Sequence, residues 1–280
     1  MNNNQKYKAM ENFETKKHLT IGQCIGILGI MIFASLIFSP IIFLSNYIGK
    51  ELSMFIYYIV AIGVTSWIAY IIRRKATGKK FFNWVTPHNK IIPFIILGTI
   101  ALIFGVTSPI VDLIPMPEIL KNAFMEFGKG KGIFPFLLMV VAAPIFEELI
   151  FRGIILDGLL EKYSPLKSIL ISSILFGVAH LNPWQFVAAV GIGCFSGWIY
   201  YHTRNLTFSI LIHATNNFCG YTMGKLLDES SMGKSSVELF GGILNYILMI
   251  FAAIVIVALC IFFIRKQFKR TENVSQTTLN

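Results

Sequence analysis

FPFLLMVVAAPIFEELIFR, Phe134 to Arg152, sets thirteen apolar residues in a row ahead of Glu147, Glu148 and Arg152. Carried outward to Ile133 and Leu156, the segment is long enough at about 1.5 Å per residue to cross the roughly 30 Å hydrocarbon core of a bilayer. Comparable runs lie at Leu19–Tyr47, Leu52–Ile72, Ile91–Ile114, Leu166–Leu181, Trp184–Tyr201, Leu206–Met223 and Phe240–Ile264. Unbroken apolar runs argue for helices, since a membrane barrel needs alternation of apolar and polar residues. The predicted fold is therefore all-α: a polytopic membrane protein, a bundle of about eight transmembrane helices. The fifth to seventh runs are short and are expected to tilt, extend or be partly re-entrant.

Composition agrees. The 280 residues are 55% hydrophobic and 14% charged, with a mean hydropathy of +0.68, outside the range of soluble domains. The net charge of +10 does not indicate nucleic acid, because the basic residues gather at the ends of apolar runs and not along one soluble face. They orient the bundle instead. With the N-terminus inside, 18 of the 24 Lys and Arg fall on the inner side and six on the outer, so both termini are expected to face the cytoplasm at the cell membrane. The organisation expected is a cytoplasmic polar tail at 1–18, helices 1–3 over 19–115, a core of helices 4–7 over 133–223, a last helix at 240–264 and a cytoplasmic tail at 265–280. Met1–Lys17 and Thr271–Asn280 are expected to be disordered. Leu19–Tyr47 is too long for a cleaved signal and lacks an A-x-A-like site, so it is expected to stay in the mature chain.

Cys24, Cys194, Cys219 and Cys260 show no C-x-x-C spacing and read as packing residues. The Gly-x-x-x-Gly spacings Gly22–Gly26 and Gly193–Gly197 are both expected to serve internal packing.

Ionisable residues at membrane depth are expensive and usually face a bundle interior or a water-filled cavity. Glu148 and Arg152 are four apart and share a helix face, so they are expected to pair. Glu147 lies about 100° around the helix and is left available for a proton. His180 ends a short apolar helix before Asn182-Pro183. His213 lies within the seventh segment with Asn217 on the same face and Asn216 beside it. One carboxylate and two imidazoles on three segments have the ingredients of water activation, with the histidines either polarising a carbonyl or binding a metal. A metal, if present, is a divalent ion such as Zn2+ held by Glu147, His180 and His213. The spacing does not choose between these chemistries. Neither H-E-x-x-H nor G-x-S-x-G occurs. Helix rise puts Glu147 and His213 at matching depths, whereas His180 comes out nearer the outer face by about a third of the bilayer. His18, His88 and His202 lie near segment ends and are assigned no chemistry.

Three ordered motifs, Glu147-Glu148-x-x-x-Arg152, Phe176-x-x-x-His180 and His213-x-x-x-Asn217, resemble those of the CPBP family of intramembrane proteases, which includes CAAX prenyl endopeptidases of the Rce1 type and bacterial Abi or bacteriocin-processing proteins. The resemblance covers about Phe134–Met223. It implies an endopeptidase whose site lies in the membrane and opens to the cytoplasm, with Glu147 and His180 activating water, His213 and Asn217 holding the oxyanion, and Glu148 and Arg152 in support. The expected substrate is a membrane-associated peptide or protein, such as a pheromone, a bacteriocin leader or a membrane-protein fragment, with the lipid bilayer as the other partner and no nucleic acid. Two readings compete: a non-catalytic scaffold or bacteriocin-immunity protein of the same fold, and a transporter with a proton relay, for which two similarly interrupted halves are missing. The first three segments carry no resemblance.

Overall fold

The computed structural model describes residues 18–84, 89–121, 126, 130–226 and 234–277, with side chains described through 269. The tail Met1–Lys17 and His88 lie outside the described residues. Each of the eight apolar runs is a helix: α1 Ile21–Ile48, α2 Lys50–Thr77, α3 Asn89–Val111 and α4 Phe134–Leu159, then α5 Pro165–Ala179, α6 Pro183–Thr203, α7 Leu206–Leu226 and α8 Ile243–Thr277. No strand occurs among the described residues. Five helices, α1 to α4 and α8, are long and apolar enough to cross a bilayer.

The fifth to seventh segments depart from expectation in one respect. Only α5 is short, at 15 residues, whereas α6 and α7 run 21 residues each. Likewise α8 continues to Thr277 through part of the expected tail; neither Gly nor Pro occurs from Ile243 to Thr277 to stop it.

Local chemistry sets the boundaries. Thr20 and Gln23 form a reciprocal capping box that starts α1. Gly49 (φ 87°) turns the chain into α2, and Gly78 (φ 75°) ends α2 with its N–H on the Arg74 carbonyl. Asn182 Oδ1 accepts the Gln185 N–H at 2.8 Å, with Pro183 at the first position of α6. Within α4, Pro144 offers no N–H to the preceding turn, and the helix opens to a wide π-form over Leu137–Ala142 just before it. A second π-segment follows at Leu149–Leu156.

Two apolar clusters hold the bundle. Cys24, Ile27 and Met31 of α1 pack on Ile150, Phe151 and Ile154 of α4 and on Leu175 and Phe176 of α5. On the other side, Ile91 and Ile95 of α3 meet Ile192 and Ile199 of α6, Phe208 and Ile212 of α7, and Ile264 and Phe268 of α8. All four cysteines are free.

The two glycine spacings part company. On α6, a Cβ at Gly193 would sit 3.0 Å from both the Ser173 Cβ and the Arg152 guanidinium, and one at Gly197 would sit 3.1 Å from Ile169, so this pair does serve internal packing against α5. Gly22 would meet nothing beyond Thr20 at 3.9 Å and Gly26 nothing within 4 Å, and both are exposed. The expectation of internal packing is wrong for Gly22–Gly26, because the buried face of α1 is the one carrying Cys24, Ile27 and Met31. Gly193→Ala is therefore expected to destabilise the chain by about 1–3 kcal/mol. Gly22→Ala is expected to be neutral or stabilising by up to about 1 kcal/mol. Thermal unfolding of both variants in detergent checks this, and equal melting points would refute it.

A strap of residues 78–84 closes the end of the bundle where α2 stops. Arg73, 2% exposed, donates to the Lys79 and Phe81 carbonyls and lies 4.4 Å over the Phe82 ring. It also meets Asp157, which pairs with Lys79 at 2.9 Å and Arg204 at 3.2 Å. Burial works against the charge on Lys79, but the hydrogen bonds it donates to Glu161 and Asp157, with their negative charges, more than offset it and raise its pKa. Its pairing thus contributes stability that is full below the ordinary lysine range and is lost as pH climbs through the raised value. The strap further receives the Leu206 N–H on the Asn83 carbonyl and the Thr207 hydroxyl on the Trp84 carbonyl, each at 3.0 Å. The start of α7 is thereby buried inside the protein, with Leu206 1% exposed.

Candidate active site

The α-helical turn between the two π-form stretches of α4 carries Glu147 and Glu148, and the second π-form stretch carries Arg152. Glu148 and Arg152, both fully buried, pair at 3.0 Å as their spacing predicts. Glu148 also accepts the Ser196 hydroxyl of α6 at 3.1 Å and lies 3.1 Å from Nδ1 of His213 on α7. One carboxylate therefore ties three helices together. Arg152 Nε and Nη2 have no hydrogen-bond acceptor, and its guanidinium lies 4.7 Å over the Phe176 ring, whose π-face attracts the cation.

A carboxylate on one ring nitrogen of a histidine orients the other. Here Glu148 holds Nδ1 of His213, and Nε2 faces Glu147 Oε2 at 3.9 Å, beyond hydrogen-bond length. Glu147 keeps its second oxygen, Oε1, on the Tyr58 hydroxyl of α2 at 2.7 Å.

The structure brings His180 to the same place. Its Nδ1 lies 2.9 Å from the Phe176 carbonyl and its ring stands edge-on to Phe176 at 5.1 Å, with His213 on Phe176 at 5.3 Å. The apparent difference in depth narrows because the His180 ring folds back by a turn onto the Phe176 carbonyl.

Two cavities meet at His180. One, of about 160 Å³, is lined by Glu147, His180 and Ala179 on one side and by Met31, Ser35, Tyr57, Tyr58, Ala61 and Ile62 of α1 and α2 on the other. The second, of about 80 Å³, takes in Phe176, His180, His213, Asn216, Asn217 and Gln185. Either exceeds the roughly 10–15 Å³ that one water needs. Asn217 donates to the Met139 carbonyl in the π-form turn of α4 at 2.8 Å and accepts from Asn216 at 3.0 Å, which ties α7 to α4.

All six sequence-derived residues, Glu147, Glu148, Arg152, His180, His213 and Asn217, thus surround one place in the bundle. Tyr58 and Ser196 were not foreseen: a tyrosine among apolar residues and a serine on a Gly-rich helix are ordinary membrane-helix composition. Phe176 was legible only as a letter in a motif, yet it contacts Arg152, His180 and His213 together. No three His, Cys, Asp or Glu side chains among the described residues converge closely enough to hold a metal ion. Glu147, His180 and His213 as they stand do not fit the expected zinc site, and no step is derived through one.

Residues 129–219 match the family model for Type II CAAX prenyl endopeptidase Rce1-like proteins. The UPF0177 protein YxdF of Lactococcus lactis subsp. lactis (strain IL1403) is 25% identical over 142 residues, 48% of this chain and 78% of that protein. YdiL of Bacillus subtilis (strain 168), provisionally described as a membrane peptidase, is 32% identical over 85 residues, 30% of this chain and 35% of that protein. No solved structure matches the chain. The matched stretch contains every residue of the three motifs and leaves out α1 and α2. Within this helical membrane bundle, residues 129–219 are thus similar to the Rce1-like CAAX prenyl endopeptidases.

Proposed function

We propose that the chain is an intramembrane endopeptidase that hydrolyses peptide bonds of membrane-associated peptides or proteins with a water activated by Glu147. The observation that carries this reading is the shared setting of Glu147 and His180 on one cavity, with His213 Nε2 close by and braced from behind by Glu148.

Glu147 Oε2 takes a proton from water in the larger cavity as the oxygen adds to the scissile carbonyl carbon. His180 holds that water. In the smaller cavity, His213 donates from Nε2 to the oxygen that becomes negative, with the Asn216 and Asn217 amides beside it. When the C–N bond breaks, the proton on Glu147 passes to the leaving amine, giving a new carboxylate and a new amine. Glu148, Arg152 and Ser196 hold His213 and do not touch the substrate. The site faces a substrate lying in the bilayer, opens toward the cytoplasm and has both termini on that side, as the Lys and Arg bias indicates.

Purified protein in detergent, assayed against quenched-fluorescence membrane peptides, tests this. Cleavage is expected to persist after exhaustive chelation. His213→Ala is expected to lower kcat about 10²- to 10³-fold, the range for a lost oxyanion donor. Loss of cleavage on chelation and its return with Zn2+ would overturn the metal-free mechanism. An unchanged His213→Ala rate would remove His213 from the chemistry.

A further inference from the structure

We propose that Tyr58 of α2, outside the family-matched stretch, is a positioning residue for Glu147; this rests on the reading of Glu147 as the base. A carboxylate at membrane depth needs hydrogen-bond donors, because an unsolvated charge there is costly. The Tyr58 hydroxyl donates to Glu147 Oε1 at 2.7 Å, a well-formed O–H···O length. The nearest imidazole nitrogen, His213 Nε2, stands 3.9 Å from the other oxygen and fixes nothing.

The consequence is a division of labour within one carboxylate. Oε1 is held from outside the catalytic core, and Oε2 is left to face the cavity and His213. A base whose reactive oxygen is fixed before substrate arrives keeps its attack geometry, and small misplacements in such geometry are expensive in rate. A tyrosine suits the task because its ring packs among apolar residues while its hydroxyl reaches one acceptor.

The adjacent Tyr57 supplies an internal control. Its hydroxyl donates to the Ser35 carbonyl of α1 at 3.1 Å and it lines the same cavity without touching Glu147. The Tyr58 hydroxyl thus links α2 directly to Glu147, which gives α2 a part in the reaction that the matched stretch alone does not reveal.

The test uses the full chain in detergent and the best-cleaved member of a quenched-fluorescence membrane-peptide library. It compares wild type, Tyr58→Phe, Tyr57→Phe and Glu147→Gln by kcat, KM and melting temperature. Tyr58→Phe is expected to lower kcat about ten- to hundredfold, the loss of a hydrogen bond to a charged group, with KM and melting temperature close to wild type. Tyr57→Phe, which removes a hydroxyl from the same cavity but not from Glu147, is expected to lower kcat much less than Tyr58→Phe does. An unchanged kcat in Tyr58→Phe, beside an inactive Glu147→Gln, would overturn the role of Tyr58 and leave the protease reading standing. A matched fall in melting temperature and rise in KM in both tyrosine variants would reduce Tyr58 to packing. Full activity in Glu147→Gln would instead sink the reading on which the proposal rests.

Discussion

Glu147→Gln is expected to lower kcat by about 10²- to 10⁴-fold, the contribution typical of a positioned general base, with little change in melting temperature. The amide fills the same space beside Tyr58 and His180, yet it cannot take a proton from water. Because Glu147 is 16% exposed at the side chain and its hydrogen bond comes from a hydroxyl, a neutral amide there leaves no buried charge behind. The measurement is steady-state cleavage of a membrane peptide alongside a melting curve. Activity within threefold of wild type would remove Glu147 as the base.

Arg152→Ala is expected to act through the opposite quantity. Both members of the Glu148–Arg152 pair are fully buried, and removing one partner of such a pair typically costs about 3–5 kcal/mol, since the other charge is left without compensation. The loss extends to His213, whose Nδ1 rests on the same Glu148 oxygen that Arg152 contacts. The variant is therefore expected to melt well below wild type and to lose activity as well. Arg152→Met combined with Glu148→Gln is expected to recover most of the stability while remaining slow, because His213 then lacks its carboxylate. A melting temperature for Arg152→Ala equal to that of wild type would show that the pair does not brace the core.

Much of the architecture was legible because a bilayer imposes lengths. Each of the eight helices was marked by an apolar run. The ends of α6 and α7 differ by at most three residues from their apolar runs, as the helices carry on through polar flanks such as His202-Thr203 and Gly224-Lys225. The Gly22–Gly26 error is of another kind. Spacing alone does not say which face of α1 meets α4, and Cys24, Ile27 and Met31 occupy that face instead.

The site was legible in its residues and not in its wiring. Glu148 and Arg152 were paired from their spacing, and the structure agrees. That Glu148 also grips His213 and Ser196 depends on α6 and α7 crossing α4, a tertiary fact with no local signal. His180 looked misplaced because depth was counted along the helix backbone, whereas its ring turns back by one helical turn to the Phe176 carbonyl. Tyr58 carried no signal, since an aromatic residue in an apolar helix is ordinary.

The central claim, direct attack by a Glu147-activated water, is tested most directly by single-turnover cleavage of a membrane peptide in ¹⁸O-enriched water containing hydroxylamine, with both products analysed by mass spectrometry. The expected product is a new C-terminal carboxylate carrying one ¹⁸O atom, with no hydroxamate. A hydroxamate product would reveal an acyl-enzyme captured by hydroxylamine, and with it a side-chain nucleophile in place of water.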